Sequence, residues 1–397
     1  MNRIVEEPIS GEAATERLGA GPIPAHPYYQ PDYHHLEVAA VFRPSWLQIG
    51  HVCELPEPGS FIVRPIEIAK TSILVTRGPD GVLRAFHNVC THRGSKLVQE
   101  DGGKASAFSC RYHMWNFGYD GALRAAPDFE RFYVDAADCG LKPVAVEVCA
   151  GLIFVHLDPQ PPQALKDYLG PLVERLETFP VARAATFTEY VYEVEANWKL
   201  IIDNFQENYH LRFVHARTGG APPPDNPFGY PSGFEFFGPH RTQRMRGGGG
   251  LAPGPVRAFA LSRIVEFAGA DGLLGGPWSS DYCVIFPNLF VFGSGMSPFS
   301  LYVLPTAPNR ARGVFRFYWT GEDESASRRF AREFHAMMMR DLHAEDLPSI
   351  ENSQVGLDSG VLEHIHFQSQ EVLCRHHFLE VDKRVQAYVA GLQGPAE

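Results

Sequence analysis

From about residue 45 to residue 158, apolar and polar positions alternate in short runs bounded by turn residues, which is the texture of strands. Phe61 to Val75 is rich in β-branched residues, and Arg77-Gly78-Pro79-Asp80-Gly81 is a turn signal ahead of Val82 to Phe86, so a hairpin is predicted. Tyr119-Asp120-Gly121 marks a second turn, and Val144 to Leu157 reads as a strand, a Gly turn and a buried strand. Beyond Pro159 to Pro162 the period lengthens. Leu165, Leu169, Leu172 and Leu176 recur at spacings of 4, 3 and 4, which predicts an amphipathic helix over Ala164 to Phe179. Thr186 to Val194 is strand-like, and Asn197 is placed to cap a helix from Trp198 to about His210. Residues 217–256 are dense in Gly and Pro, including Gly247 to Gly250, and read as one long irregular segment, either functional or a surface insert. Tyr282 to Phe292, Leu301 to Leu304 and Gly313 to Trp319 predict antiparallel strands. Ser325 to His343 predicts a helix that Pro348 breaks or restarts, and Glu371 to Val389 a closing helix. Residues 1–40 show little periodicity and read as an arm lying across a larger body. No internal repeat is apparent. The expected organisation is an arm (1–40), a small all-β domain (41–160) and a mixed domain (161–397), an α+β chain rather than alternating βαβ units.

The composition is that of a globular protein: 45% of the 397 residues are hydrophobic and 20% charged, which excludes a disordered or fibrous chain. The net charge of 35 − 46 = −11 argues against nucleic acid as a partner. No apolar run approaches the roughly 20 residues that span a bilayer, so no membrane partner is expected. The acidic start carries no apolar core of a secretory signal, and a soluble, cytoplasmic protein is expected. Seven scattered cysteines, an odd number, argue against a disulfide framework. No G-x-G-x-x-G follows a strand, so the chain shows no nicotinamide or flavin site of its own.

Two constellations carry chemistry. The first is Cys90-Thr91-His92 and, after seventeen residues, Cys110-Arg111-Tyr112-His113. Tetrahedral zinc and a Rieske 2Fe–2S cluster both accept two Cys and two His. Zinc sites more often pair Cys with Cys and His with His, whereas the Rieske centre takes one Cys and one His from each loop, the order found here. Neutral imidazoles in place of thiolates on one iron leave the cluster less negative and raise its potential, as an electron relay requires.

The second lies in Trp198 to His215, WKLIIDNFQENYHLRFVH. A mononuclear iron that activates O₂ uses two His and one carboxylate on one face. His210 and His215 are five residues apart, about 140° on an ideal helix, so the helix must end or distort between them, leaving Arg212 to Val214 irregular. Spacing leaves the carboxylate open among Asp203, Glu207, Asp341, Glu345, Asp346 and Glu351. Glu207, one turn before His210, suits a hydrogen bond to its imidazole, and Asp203 sits one turn further back. Phe234, Phe236, Phe237, Phe286, Phe290 and Phe292 are candidates for a pocket wall, although most of 28 phenylalanines are expected to be plain core, and Met337 to Met339 reads as a helix passing the core.

Together these motifs resemble the α-subunit of Rieske non-haem iron oxygenases, the aromatic ring-hydroxylating family, from about Pro27 to Val389. The resemblance rests on CTHRG, CxxHxW and NWKLIIDNFQENYH-x₄-H. Asp346-x₄-Glu351-x₂-Gln354-x-Gly356-Leu357 is similar to the family's third-ligand segment, and this likeness selects Asp346. The respiratory Rieske proteins carry two further cysteines where Ser95 and Tyr112 stand here. The resemblance implies a small all-β Rieske domain and a larger catalytic domain of antiparallel sheet gripped by helices, helix-grip or START-like. It implies that Cys90, His92, Cys110 and His113 hold the 2Fe–2S cluster and that His210, His215 and Asp346 hold the mononuclear Fe(II). Glu207, with Asp203 behind it, is expected to be catalytic. It would bridge His210 to His113 of a neighbouring subunit in a homotrimer, with or without a β subunit. The family usually has Asp at this position; Glu resembles the oxidisers of quaternary amines. Electrons would come from NAD(P)H through a ferredoxin or flavin reductase, and the small-molecule substrate and O₂ would meet at the iron. The first expectation is dihydroxylation of an aromatic substrate. The alternatives are a monooxygenase acting on a quaternary or methylated amine, an iron–sulfur electron carrier, and a ligand-binding domain that has lost its iron.

Overall fold

The computed structural model describes residues 7–216, 226–245, 254–260, 262–263, 266, 281–293, 298–321 and 325–393. The chain forms two compact units, Phe42–Tyr168 and Met1–Val41 with Leu169–Glu397. None of the described helices is long and apolar enough to cross a membrane.

The N-terminal stretch carries helices α1 (Gly11–Leu18) and α2 (Pro31–Glu37), with the short strand β1 (Ile23–Pro24) between them. It is more regular than its sequence suggests. Ser10 caps α1 by accepting from the Ala13 N–H, and Pro31 opens α2, where a missing N–H costs nothing. The arm is pinned by buried polar contacts to its own unit: Glu37 accepts from Lys199 Nζ at 2.6 Å and Trp198 Nε1 at 3.0 Å.

In the all-β unit, strands β2 (Leu47–His51), β3 (Ser60–Ile66), β4 (Thr71–Arg77), β5 (Leu83–His87), β6 (Gly102–Lys104), β10 (Pro143–Cys149) and β11 (Leu152–His156) form an antiparallel sheet in the order β2-β11-β10-β5-β4-β3-β6. A second sheet holds β7 (Phe108–Ser109), β8 (Asn116–Phe117) and β9 (Leu123–Ala125). The unit does contain a local repeat, contrary to the sequence expectation. Gly78-Pro-Asp-Gly-Val-Leu-Arg84 and Gly118-Tyr-Asp-Gly-Ala-Leu-Arg124 build the same hairpin twice. In each the first Gly N–H reaches the carbonyl four residues on at 3.0 Å, the second Gly is left-handed (φ 76 and 78), and the Asp side chain pairs with the closing Arg. Seven residues escape a periodicity search tuned to 20–50, but the turn chemistry requires them: Asp accepts from the backbone two residues on and Gly supplies positive φ.

In the other unit, β12 (Thr186–Val194), β13 (Gly233–Phe237), β14 (His240–Arg244), β15 (Asp281–Ile285), β16 (Leu289–Phe292), β17 (Phe299–Ala307) and β18 (Arg310–Trp319) form an antiparallel sheet in the order β12-β18-β17-β16-β15-β14-β13. The hairpin β13–β14 lies inside the stretch read as irregular. Gly247 to Gly250 fall outside the described residues. The helix expected over Ala164 to Phe179 is two pieces, α3 (Leu165–Leu169) and α4 (Leu172–Thr178), because Gly170 turns left-handed (φ 54) and Pro171 follows.

Helices α5 (Trp198–Phe205), α6 (Leu211–Val214), α7 (Ala326–Asp358) and α8 (Val372–Gln393) complete this unit. Helix α7 does not stop at Pro348 but runs 33 residues through it. Proline in a helix interior costs about 3 kcal/mol or more. Buried His343, Asp346, Ile350, Gln354 and Leu357, spaced three and four apart on one face, hold the helix on both sides of it. The closing strand β19 (His364–Ile365) pairs with β1.

Candidate active site

In the all-β unit the two Cys/His motifs form loops of one shape. Cys90 N–H donates to Ser95 O at 2.8 Å and Gly94 N–H to Cys90 O at 3.0 Å. Cys110 N–H donates to Trp115 O at 2.8 Å and Met114 N–H to Cys110 O at 2.9 Å. The fifth residue of each loop is left-handed: Gly94 at φ 75 and Met114 at φ 60. Glycine takes this conformation freely; methionine does so at a cost. The loops bring Cys90 and Cys110, both buried and unbridged, to within hydrogen-bonding reach of each other, and set the His92 and His113 rings 4.6 Å apart. Burial raises the Cys90 thiol. For Cys110, burial is outweighed by the Tyr112 and His113 backbone N–H groups and Cys90, which lower it. His92 stacks on Trp115 at 4.9 Å, and its Nδ1 is buried with no hydrogen-bond partner. Two adjacent sulfurs and an orphaned imidazole nitrogen suit a soft metal centre of the Rieske donor type.

In the other unit the donors gather where α5, α6 and α7 meet. Asn197 caps α5, as expected, accepting from Lys199 N–H at 3.1 Å. The helix then ends at Phe205 rather than near His210, and Arg212 to Val214, expected to be irregular, lie in the separate short helix α6. The cause is Glu207. Its carboxylate accepts from the backbone N–H groups of Tyr209 and His210, and also contacts His210 Nδ1. One side chain thus caps the new turn and orients the imidazole, which lets residues five apart converge.

His210 Nε2 lies 3.4 Å from Asp346 Oδ1 and His215 Nε2 lies 3.0 Å from the same oxygen. Among the described residues, His210, His215 and Asp346 form a set whose ligand atoms all lie within 4.8 Å of one another. His215 is bracketed by consecutive residues of α7: Asp346 at Nε2, and Glu345 at Nδ1, 2.8 Å away. In the tautomer whose Nδ1 protons are donated to Glu207 and Glu345, both rings would aim Nε2 lone pairs at a carboxylate oxygen. Two imidazole nitrogens and one carboxylate oxygen converging within 4.8 Å are a donor set that fits a mononuclear iron. Burial opposes ionisation of Asp346, yet His215, His343 and His210 hold its carboxyl down at about 2. Burial disfavours a charged His215, but Asp346 and Glu345 outweigh it and raise its pKa.

Of the other carboxylates, Glu345 is a hydrogen-bond partner of a donor imidazole, a role that spacing did not assign. Asp203 does not join the cluster. Its carboxylate accepts from Tyr28 Oη at 2.8 Å and Gln206 Nε2 at 3.0 Å, and burial pushes it up to about 7. Beside the donors lies a cavity of about 110 Å³, lined by Phe205, Tyr282, Phe299, Phe315, Met339 and His343 among others. None of the six phenylalanines named as wall candidates is among its lining residues; Phe290 packs against Phe205, and Phe292 stacks on its cross-strand neighbour Tyr282. Met339, read as plain core, does line it.

Comparison with known families is decisive. Residues 181–387 match the model of the ring hydroxylating alpha subunit (catalytic domain), and residues 45–145 match the Rieske [2Fe-2S] domain. The chain belongs to the Rieske non-haem iron oxygenases. It is similar to the glycine betaine monooxygenase oxygenase subunit of Chromohalobacter salexigens, 37% identical over 200 residues that span 50% of this chain but only 44% of that relative. It is 28% identical to the carnitine monooxygenase oxygenase subunit of Acinetobacter pittii over 86% of this chain and 91% of the relative. A quaternary ammonium Rieske monooxygenase, solved in complex with gamma-butyrobetaine, shares the fold with TM-score 0.70 at 24% identity, covering 94% of this chain and 99% of that one. Family membership brings a Rieske 2Fe–2S domain and a catalytic domain that binds mononuclear iron.

Proposed function

We propose that this Rieske oxygenase is the terminal component of a monooxygenase that hydroxylates a carbon attached to the nitrogen of a quaternary or methylated amine. In this reading Cys90, His92, Cys110 and His113 hold the cluster, and His210, His215 and Asp346 hold the iron. The observation that carries the substrate class is the cavity wall: Phe205, Tyr282, Phe299 and Phe315 surround a space that also meets Glu207 and Asp346, with no Lys or Arg among its described lining residues. Aromatic faces and carboxylates attract an alkylammonium ion. The relatives named for glycine betaine and carnitine support the same class. The amine reading therefore displaces the aromatic dihydroxylation expected first.

When bound, the iron activates O₂ with electrons relayed by the cluster. The chain's own residues do the rest. The aromatic wall excludes water and presses the N-alkyl group toward the donor face. Glu207 holds the His210 proton at Nδ1 and Glu345 the His215 proton at Nδ1, which keeps both Nε2 lone pairs on the metal side. Overall, substrate, O₂, two electrons and two protons give the N-hydroxyalkyl product and water; C–N cleavage then releases an aldehyde and a dealkylated amine. Glu207 is proposed to face His113 of the partner subunit in a homotrimer, carrying electrons between subunits, with a ferredoxin or flavin reductase as the source.

The test is a single turnover. The enzyme is reduced chemically and given O₂ with a panel of methylated amines, aromatic acids and aromatic hydrocarbons, and products are read by mass spectrometry. Formaldehyde with a demethylated amine, or one oxygen gained beside nitrogen, is expected. Two oxygens gained on a ring compound would refute the reading.

A further inference from the structure

On helix α7, His343 and Asp346 are three residues apart and share a face. His343 is 3% exposed and borders the cavity beside the donor set. Its ring is held by three others: Tyr192 of β12 at 4.5 Å, Phe205 of α5 at 4.9 Å and Phe315 of β18 at 5.9 Å between centroids. Neither ring nitrogen has a hydrogen-bond partner among the described residues. An imidazole buried in that state is costly, and buried polar groups are normally satisfied.

The two oxygens of Asp346 face different neighbours. Oδ1 lies 3.0 Å from His215 Nε2 and 3.4 Å from His210 Nε2, on the side of the donor set. Oδ2 faces His343 Nδ1 at 3.7 Å. That is too long for a hydrogen bond, but an approach of about 0.5 Å reaches the ~3.2 Å upper end of the range. The approach satisfies the orphaned Nδ1–H. The three surrounding rings restrict rotation of the imidazole, so Nδ1 stays on the Asp346 side.

A carboxylate that gives both oxygens to a metal fills one more coordination position than a carboxylate that gives one, and O₂ needs a position left open. An N–H donated to Oδ2 competes with the metal for that oxygen. We infer that His343 is a positioning residue: by donating Nδ1–H to Asp346 Oδ2, it restricts Asp346 to the iron through Oδ1 alone and keeps a position open for a small ligand. This rests on the iron ligands assigned above and is independent of the substrate.

The test uses nitric oxide as the probe of the open position, added to the iron-loaded protein with its cluster oxidised. The oxidised cluster is diamagnetic, so electron paramagnetic resonance reads the iron–nitrosyl signal alone. His343→Phe keeps a ring among Tyr192, Phe205 and Phe315 and removes the N–H. His343→Asn places an amide N–H near the position of Nδ1. The Kd for nitric oxide is expected to rise at least about tenfold in the Phe variant and to return to within about threefold in the Asn variant. Fe(II) affinity, measured by chelator competition, is expected to stay within about threefold in both, because a second oxygen joins the metal where the hydrogen bond is lost. His343→Leu carries the expectation of the Phe variant and keeps the test open if that variant fails to fold. Unchanged nitric oxide binding without the N–H, a loss that Asn does not recover, or Fe(II) lost in step with nitric oxide would overturn the inference and leave the ligand assignment standing. If His210→Ala and Asp346→Ala each bound Fe(II) as the unaltered protein does, the ligand assignment would fall, and this inference with it.

Discussion

The bracketing of His215 by two consecutive residues makes Glu345 a sharp test of the donor geometry. Glu345→Ala removes the acceptor 2.8 Å from His215 Nδ1 and leaves Asp346 in place at 3.0 Å from Nε2. Without that acceptor the ring is free to place its proton on Nε2, the nitrogen that must face the metal. Loss of such an outer partner typically costs 10–100-fold in metal affinity. The Glu345 side chain is 33% exposed, so water partly replaces it and the low end applies: about tenfold, or about 1.4 kcal/mol. Glu207 is 11% exposed and also accepts from two backbone N–H groups, so its removal should cost iron affinity nearer the high end, about 100-fold. The assay is Fe(II) competition against a chromophoric chelator, with iron counted per chain. Glu345→Gln keeps a carbonyl acceptor and should recover most of the loss. If Glu345→Ala bound iron within twofold of the unaltered protein while Glu345→Gln did not differ from it, the tautomer argument would be wrong and the contact merely structural.

Further outcomes follow from other residues. At saturating iron, Glu207→Ala should retain iron and cluster but lose turnover by at least 100-fold; normal turnover, measured with the native or a surrogate reductase, would remove Glu207 from the electron path. Met114→Gly should stabilise the cluster loop by about 1 kcal/mol, because the left-handed conformation that Met114 holds at φ 60 is free for glycine; slower bleaching of the cluster's visible absorbance on heating would show it, and an unchanged rate would deny the strain. Asp203 is raised from its ordinary 3.8 to about 7, chiefly by burial. Its stabilising contribution is therefore complete below about pH 4 and lost as pH rises through 7. Asp203→Asn should flatten that decline, raising the melting temperature at pH 8 relative to the unaltered protein more than at pH 5; a parallel pair of pH profiles would contradict the shift.

The parts of this enzyme that were legible in the sequence are those whose geometry is local. Cys90, His92, Cys110 and His113 sit in two five-residue loops closed by their own backbone hydrogen bonds, so the motif and the proposed cluster site are nearly the same object. The sheet-then-helix order, and strands such as Thr186–Val194, follow from periodicity alone. Helix ends were harder, because side chains decide them: the Glu207 carboxylate competes for the Tyr209 and His210 N–H groups and stops α5 four residues after Ile201, which no periodicity encodes. Asp346 lies 131 residues beyond His215, and spacing could not choose it from six carboxylates; only likeness to the family did.

The cavity wall was illegible for a different reason. Directly paired strand residues share a face, so Phe292 stands in one row with Tyr282 and Phe299, yet only Tyr282 and Phe299 of these three line the cavity, together with Phe205 from a helix. Which rings of a row reach the space is decided by how the helices lie against the sheet, and composition does not encode that. For this fold, the candidate cofactor sites are written as motifs, whereas the cavity wall is set by tertiary packing.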